Sequence, residues 1–219
     1  MTPSHFVEQL AAVSLSGVFN PYRDACHQHD HSDSPAIRRK NLQHYMEAAT
    51  AGVRVDSIWL GRDCGYRGAR RTGIALTDEL HLTVLEEYYG VTGLAKATLG
   101  GCMKERTATE IWKIMRDVKV KAFLWNVFPF HPFEGKNPMS NRCHTAREFK
   151  HCSKLLLALL DWLQPQTIIA LGADAHKAVQ QLGFSASLVR HPSFGGQTAF
   201  ANGMRSLYHR ATDTTLKPS

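Results

Sequence analysis

Two short, largely apolar runs constrain this chain more than anything else in it: Val55–Leu60 (VDSIWL) and Val120–Val127 (VKAFLWNV). Both are of strand length, and neither keeps a strict polar/apolar alternation. Each therefore reads as a strand covered on both faces, the habit of parallel sheets. Thr167–Leu171 and Ala186–Arg190 continue the series. Helical spacing fills the intervals. Residues 1–20 carry Phe6, Leu10 and Val13 on one helical face and end in a turn at Asn20-Pro21. Residues 37–52 place Ile37, Leu42 and Met46 on one side, Arg38, Arg39 and Lys40 on a solvated face, and Gly52 as C-cap. Residues 78–89, 173–182 and 197–209 also read as helices. Thr107-x-x-Glu110 and Thr145-x-x-Glu148 are capping boxes that open two more. Strands alternating with helices predict a three-layer α/β/α sandwich around a mostly parallel central sheet. The expected organisation is one domain over residues 1–210 with a polar tail over 211–219.

Composition narrows the class. Of 219 residues, 43% are hydrophobic and 21% charged, enough for a full core. The longest apolar run, Leu155–Leu163, is interrupted by Asp161 and is too short to span a bilayer. No membrane partner is expected. The N-terminus lacks a basic segment before an apolar one, so no signal peptide is indicated. Five scattered cysteines without C-x-x-C spacing suit a reducing cytoplasm better than a disulfide framework. Cys26, His27, His29 and His31 invite a metal, but no second cluster completes a ligand set, and a solvated loop is expected. A net charge of +7 is compatible with a polyanionic partner.

The chemistry gathers after the strands. Gly61–Glu79 (GRDCGYRGARRTGIALTDE) is a long segment rich in glycine and arginine, and such loops inside compact domains are usually functional. Its arginines, Arg62, Arg67, Arg70 and Arg71, offer forked donors to phosphate. Asp63 lies just past the first strand, Asn126 near the end of the second, and His191 after the last. Ligands bind beyond the carboxyl ends of strands in such sheets, so the three should converge. An amide presents donor and acceptor side by side, as a base edge does. A neutral histidine can donate to an oxygen gaining charge. A carboxylate can orient water and stabilise a cationic sugar. The P-loop pattern is absent. The set fits cleavage of an N-glycosidic bond better than phosphoryl transfer.

Three separated motifs resemble those of the uracil-DNA glycosylase superfamily, in a bacterial branch without an iron–sulfur cluster. They are GRDCGYRGARRTGIALTDE, FLWNVFPFHP and RHPSFGG, with PMSNR and NPYRD…PAIRRKNL similar to the same branch. The resemblance covers roughly residues 18–205. It implies a monofunctional glycosylase that flips a base from DNA and needs no cofactor or metal. By the same resemblance Asp63 positions water, His191 stabilises the departing base and Asn126 reads it. Gly65, Tyr66 and Leu76 would border the base. Arg62, Arg67, Arg70, Arg71, Arg190, Ser193, Gly195 and Gly196 would meet DNA, and Phe194 would act as a wedge. A monomer is expected.

The motifs also depart from the family. Asp63-Cys64 stands where the related branch usually has Ala-Pro, and Ala75-Leu76 where it has Pro-Phe. The uracil-specific enzymes place a tyrosine soon after the aspartate, which excludes substituents at pyrimidine carbon 5. Gly65 is the closer counterpart here, with Tyr66 one place later. An amide can turn over to read cytosine. Both uracil, as in repair, and a bulky 5-modified pyrimidine, such as glucosylated hydroxymethylcytosine in phage DNA, remain open as substrates. A DNA-binding module without turnover is the remaining alternative.

Overall fold

The computed structural model describes residues 1–51 and 55–214. In chain order the elements are α1 (Pro3–Ala12), β1 (Val18–Phe19), α2 (Ser34–Thr50), β2 (Ser57–Asp63), α3 (Ala69–Thr72), a 3-10 turn (Glu79–His81) running into α4 (Leu82–Tyr89), α5 (Arg106–Val118), β3 (Ala122–Phe128), β4 (His131–Pro132), α6 (Ala146–Leu163), β5 (Thr167–Leu171), α7 (Ala173–Gln181), β6 (Ser187–Val189) and α8 (Gln197–Thr214). The central sheet has the order β3-β2-β5-β6. Every pairing in it is parallel, and helices flank it. A separate antiparallel pair, β1 with β4, has two residues per strand, too few to leave a readable period.

The apolar runs are strands because both faces are covered. All seven residues of β3 are buried, as are Ile58, Trp59 and Leu60 of β2. β3 is an edge strand, and Tyr45 of α2 shields it. The Tyr45 ring stacks on Phe123 at 4.9 Å, and its hydroxyl accepts from the Leu124 N–H at 2.8 Å. At the other end of the chain, the Tyr208 hydroxyl accepts from Trp59 Nε1 at 2.7 Å and ties α8 to β2.

Several boundaries differ from the sequence expectation, each for a local reason. β2 continues to Asp63, so the glycine-rich segment begins as strand. In register, Gly61 faces Asn126 and Asp63 faces Phe128. α2 begins at Ser34 with Pro35 in its first turn, where the missing N–H costs nothing. Its Gly52 cap falls outside the described residues. Arg38 is not on a solvated face. It is 1% exposed and donates to Asp30 Oδ1 at 2.5 Å. The capping box at Thr145 forms as read, whereas Thr107 does not cap. α5 instead starts at Arg106, behind Glu105, whose N–H is held by Asp78 Oδ2 at 2.6 Å. α8 runs on to Thr214, past the expected start of the tail at Ala211.

Candidate active site

The carboxyl ends of β2 and β3 and the segment after β6 meet at one cavity of about 540 Å³, in the range of small-ligand sites. Gly61, Arg62, Asp63, Cys64, Gly65, Leu76, Glu105, Asn126, Asn141, Arg142, Arg190, His191, Ser193 and Phe194 are among the residues that line it. Close packing sets the cavity floor. A Cβ on Gly61 would come within 2.5 Å of Asn126 Oδ1, so glycine there is what lets the amide stand beside β2.

Asn126 is 1% exposed, and its Oδ1 has no hydrogen-bond partner. The amide orientation follows from its neighbour. The Cys64 thiol donates to Pro129 O at 3.1 Å, so its sulfur is left to accept from Asn126 Nδ2 at 3.6 Å. Burial pushes the Cys64 thiol pKa up and keeps that proton in place. Oδ1 is therefore an unmatched acceptor at the cavity, and leaving one buried costs about 1–3 kcal/mol. A ligand N–H would remove that cost.

Asp63 is held from both sides. Arg62 Nε donates to Oδ2 at 2.6 Å, and His144 Nδ1 donates to Oδ1. Arg62 is fixed in turn by Asp174 Oδ2 at 2.6 Å. The His144 ring is wedged between Phe128 and Phe149, with centroids at 5.2 and 5.6 Å. The carboxylate side chain is 7% exposed. Its position at the end of β2 and this clamp fix its direction.

His191 carries its proton on Nε2. The Ser193 N–H donates to Nδ1 at 3.2 Å, and Ser193 Oγ lies 2.8 Å from the same nitrogen. Burial, with help from Arg62 and Arg190, lowers its pKa to about 4. The ring is thus a neutral donor at neutral pH. Gly196 permits the turn that carries it, since a Cβ there would come within 2.2 Å of His191 O.

The structure gathers Asp63, Asn126, His191, Gly65, Leu76, Arg62, Arg190, Ser193 and Phe194 at the cavity. It does not gather the rest. Arg70 is 3% exposed, lies 3.9 Å over the Phe19 ring and is hydrogen-bonded to His131 Nδ1 and Pro138 O. Arg71 is 6% exposed, with Nε 3.2 Å from Glu79 Oε2. Both hold the glycine-rich segment to the body and are not open to phosphate. Tyr66 is not among the lining residues. Its hydroxyl accepts from Arg67 Nε at 2.8 Å, and Arg67 is exposed. Gly195 and Gly196 shape the His191 loop from outside the lining. Among the described residues no group of three or more His, Cys, Asp or Glu could hold a metal ion, the Cys26–His31 cluster included.

Sequence reasoning missed His144, Glu105, Asn141 and Arg142. Asn141 and Arg142 lie in PMSNR and His144 two residues after it, so that motif was the available signal.

Fold and cavity together define an α/β scaffold with a small-ligand-sized site at its strand ends. The chain belongs to the uracil DNA glycosylase superfamily, whose family model matches residues 55–212. Family and fold support a DNA glycosylase. Among solved structures, the chain is similar to wild-type SMUG2 of Pedobacter heparinus. The TM-score is 0.66 at 14% identity, covering 99% of this chain and 100% of that one. At that identity the likeness speaks for the fold. No curated protein matches the sequence. No helix among the described residues is long and apolar enough to cross a membrane.

Proposed function

We propose that the protein is a monofunctional DNA glycosylase that flips a pyrimidine out of DNA and hydrolyses its N-glycosidic bond, leaving an abasic site. The observation that carries this is the convergence of an unmatched amide acceptor, a clamped carboxylate and a neutral histidine donor on one cavity. Asn126 Oδ1 takes an N–H of the flipped base. As the sugar carbon–nitrogen bond breaks, its electron pair leaves with the base, and the Nε2–H of His191 stabilises the anion. Asp63 faces the cationic sugar. Each of its oxygens already accepts one strong hydrogen bond, so it acts by charge and by orienting water. Water then adds to the sugar carbon and releases its proton to solvent.

DNA would be gripped at the cavity mouth. Arg190 and Arg67 are exposed there, the first on the lining and the second on the glycine-rich segment. Phe194 is 96% exposed and held at φ 50. A bulky residue kept in the left-handed region and in water has no folding reason to be there. It fits a wedge that replaces the extruded nucleotide.

For the base, the room in the cavity decides. Tyr66 is turned toward Arg67 and is not among the lining residues, and Leu76 stands on the lining in place of an aromatic ring, which supports a substrate with a substituent on pyrimidine carbon 5. The substrate class is a 5-modified pyrimidine, such as glucosylated hydroxymethylcytosine of phage DNA, and the role defence. Uracil, as a repair substrate, is the second reading, favoured by the family match. The test is a panel of single- and double-stranded DNAs carrying uracil, hypoxanthine, hydroxymethylcytosine or its glucosylated form, scored for abasic sites. Excision of the glucosylated base is expected. Binding without excision on every substrate would refute the enzyme in favour of a DNA-binding module. Strand scission without alkali would refute the monofunctional chemistry.

A further inference from the structure

One carboxyl in the cavity has no part in the mechanism above. Glu105 sits at the N-cap of α5, yet its side chain makes no capping hydrogen bond. It crosses instead to the glycine-rich segment. Cβ atoms on Gly65 and Gly68 would come within 2.4 and 2.2 Å of its two oxygens. The carboxyl thus fills the wall that those glycines leave open, and it lines the same cavity as Asn126. Cys64 lines that cavity too, and its sulfur accepts from Asn126 Nδ2.

Resting on the glycosylase reading, we infer that Glu105 is a second base-reading residue, a neutral carboxylic acid whose O–H donates to an acceptor of the flipped pyrimidine while Asn126 Oδ1 accepts from an adjacent N–H. Uracil and cytosine both place an acceptor next to a donor on the pairing edge, so the pair of groups reads a pyrimidine edge as such.

Protonation follows from its surroundings. Burial pushes the Glu105 carboxyl up to about 7, Asp78 adds to the rise, and Arg67 opposes it. Asp78 accepts from the His81 N–H, His81 Nδ1 and the Glu105 N–H. A carboxylate beside a buried carboxyl favours the protonated form of that carboxyl. Besides Cys64, the titratable and charged groups that line the same cavity are Arg62, Asp63, Arg142, Asp174, Arg190 and His191.

The experiment is single-turnover excision on the best substrate of the panel, from about pH 6 to about pH 9, with wild type, Glu105→Gln and Glu105→Ala. Wild type should lose about tenfold or more above neutrality as the donor ionises. Glu105→Gln keeps a donor and an acceptor that do not titrate. It should stay within about threefold of wild type at pH 6 and lose the alkaline fall. Glu105→Ala should lose about ten- to a hundredfold at pH 6 and show no alkaline fall, while retaining the wild-type circular dichroism. An unchanged alkaline fall in Glu105→Gln overturns the proposal even if Glu105→Ala misfolds. So does wild-type activity in Glu105→Ala. A wild type inert on the whole panel refutes the glycosylase reading itself, and the proposal with it.

Discussion

Arg71 offers a sharp test of how the glycine-rich segment is used. Its motif position suggests a phosphate ligand, but its surroundings do not. Arg71 Nε lies 3.2 Å from Glu79 Oε2 without hydrogen-bond alignment, and the two side chains are 7% and 0% exposed. Arg71 Nη2 donates to Thr98 Oγ1 at 2.8 Å, and Thr98 in turn serves Glu79 Oε1. Arg71→Met keeps most of the volume and removes the charge. The Glu79 carboxylate would then stay buried with only the Thr98 hydroxyl and the Met103 N–H, the latter at 2.7 Å. Breaking a buried pair by removing one partner costs about 3–5 kcal/mol. The two surviving donors place this case at the low end, about 3 kcal/mol. For a chain of this size that is a fall of roughly 6–12 °C in melting temperature. Arg71→Met/Glu79→Gln should recover most of it. Urea unfolding gives the stability, and the slope of log binding constant against log salt gives the phosphate contacts. Arg71→Met should leave that slope unchanged. Arg190→Met, on an exposed side chain, should lower it by about one contact with stability within about 0.5 kcal/mol. If Arg71→Met melts like wild type and loses a salt contact, the assignment of Arg71 to the core is wrong.

The other predictions are shorter. Asp63→Asn should keep DNA binding and lose excision by roughly two to four orders of magnitude, measured by single turnover; wild-type rates would remove Asp63 from the mechanism. Because the pKa of His191 is lowered to about 4, its donor should survive a drop from about pH 8 to about pH 5. An acid limb near 6.5 that disappears in His191→Gln would contradict this. His131 is also lowered to about 4, by burial and by Arg70. The unfolded chain takes up that proton from about pH 6.5 downward and the folded chain only near 4, so native stability falls across that window. Urea midpoints of His131→Gln should fall less steeply there than those of wild type. Phe194→Ala should leave the urea midpoint unchanged and weaken excision from duplexes more than from single strands; equal losses on both would argue against a wedge.

The strands were legible because burial on both faces leaves an uninterrupted apolar signal, and the capping box at Thr145 because its partners lie three residues apart. The same pattern at Thr107 misled, since Asp78, 27 residues upstream, holds the Glu105 N–H at the helix start. Asp63, Asn126 and His191 could be found because topology alone places strand ends together.

What local sequence cannot carry is the partner of a charge. Arg62, Arg67, Arg70 and Arg71 look alike in a glycine-rich segment, yet two are buried, one is exposed and one clamps Asp63. The difference lies in Phe19, His131, Glu79 and Asp174, residues 8 to 112 positions away. Glu105 is the same case reversed. Its sequence context is the entrance of a helix, where a carboxylate is expected to cap and stay charged. Asp78 holds its backbone N–H, and Gly65 and Gly68 leave room for its side chain at the cavity wall. A carboxyl denied its cap and crowded by another carboxylate gives up ionisation before it gives up its position, because desolvating a charge costs more than binding a proton near neutrality. That is why the group suited to read an acceptor on the base is an acid, at a helix entrance that the sequence assigned to Thr107.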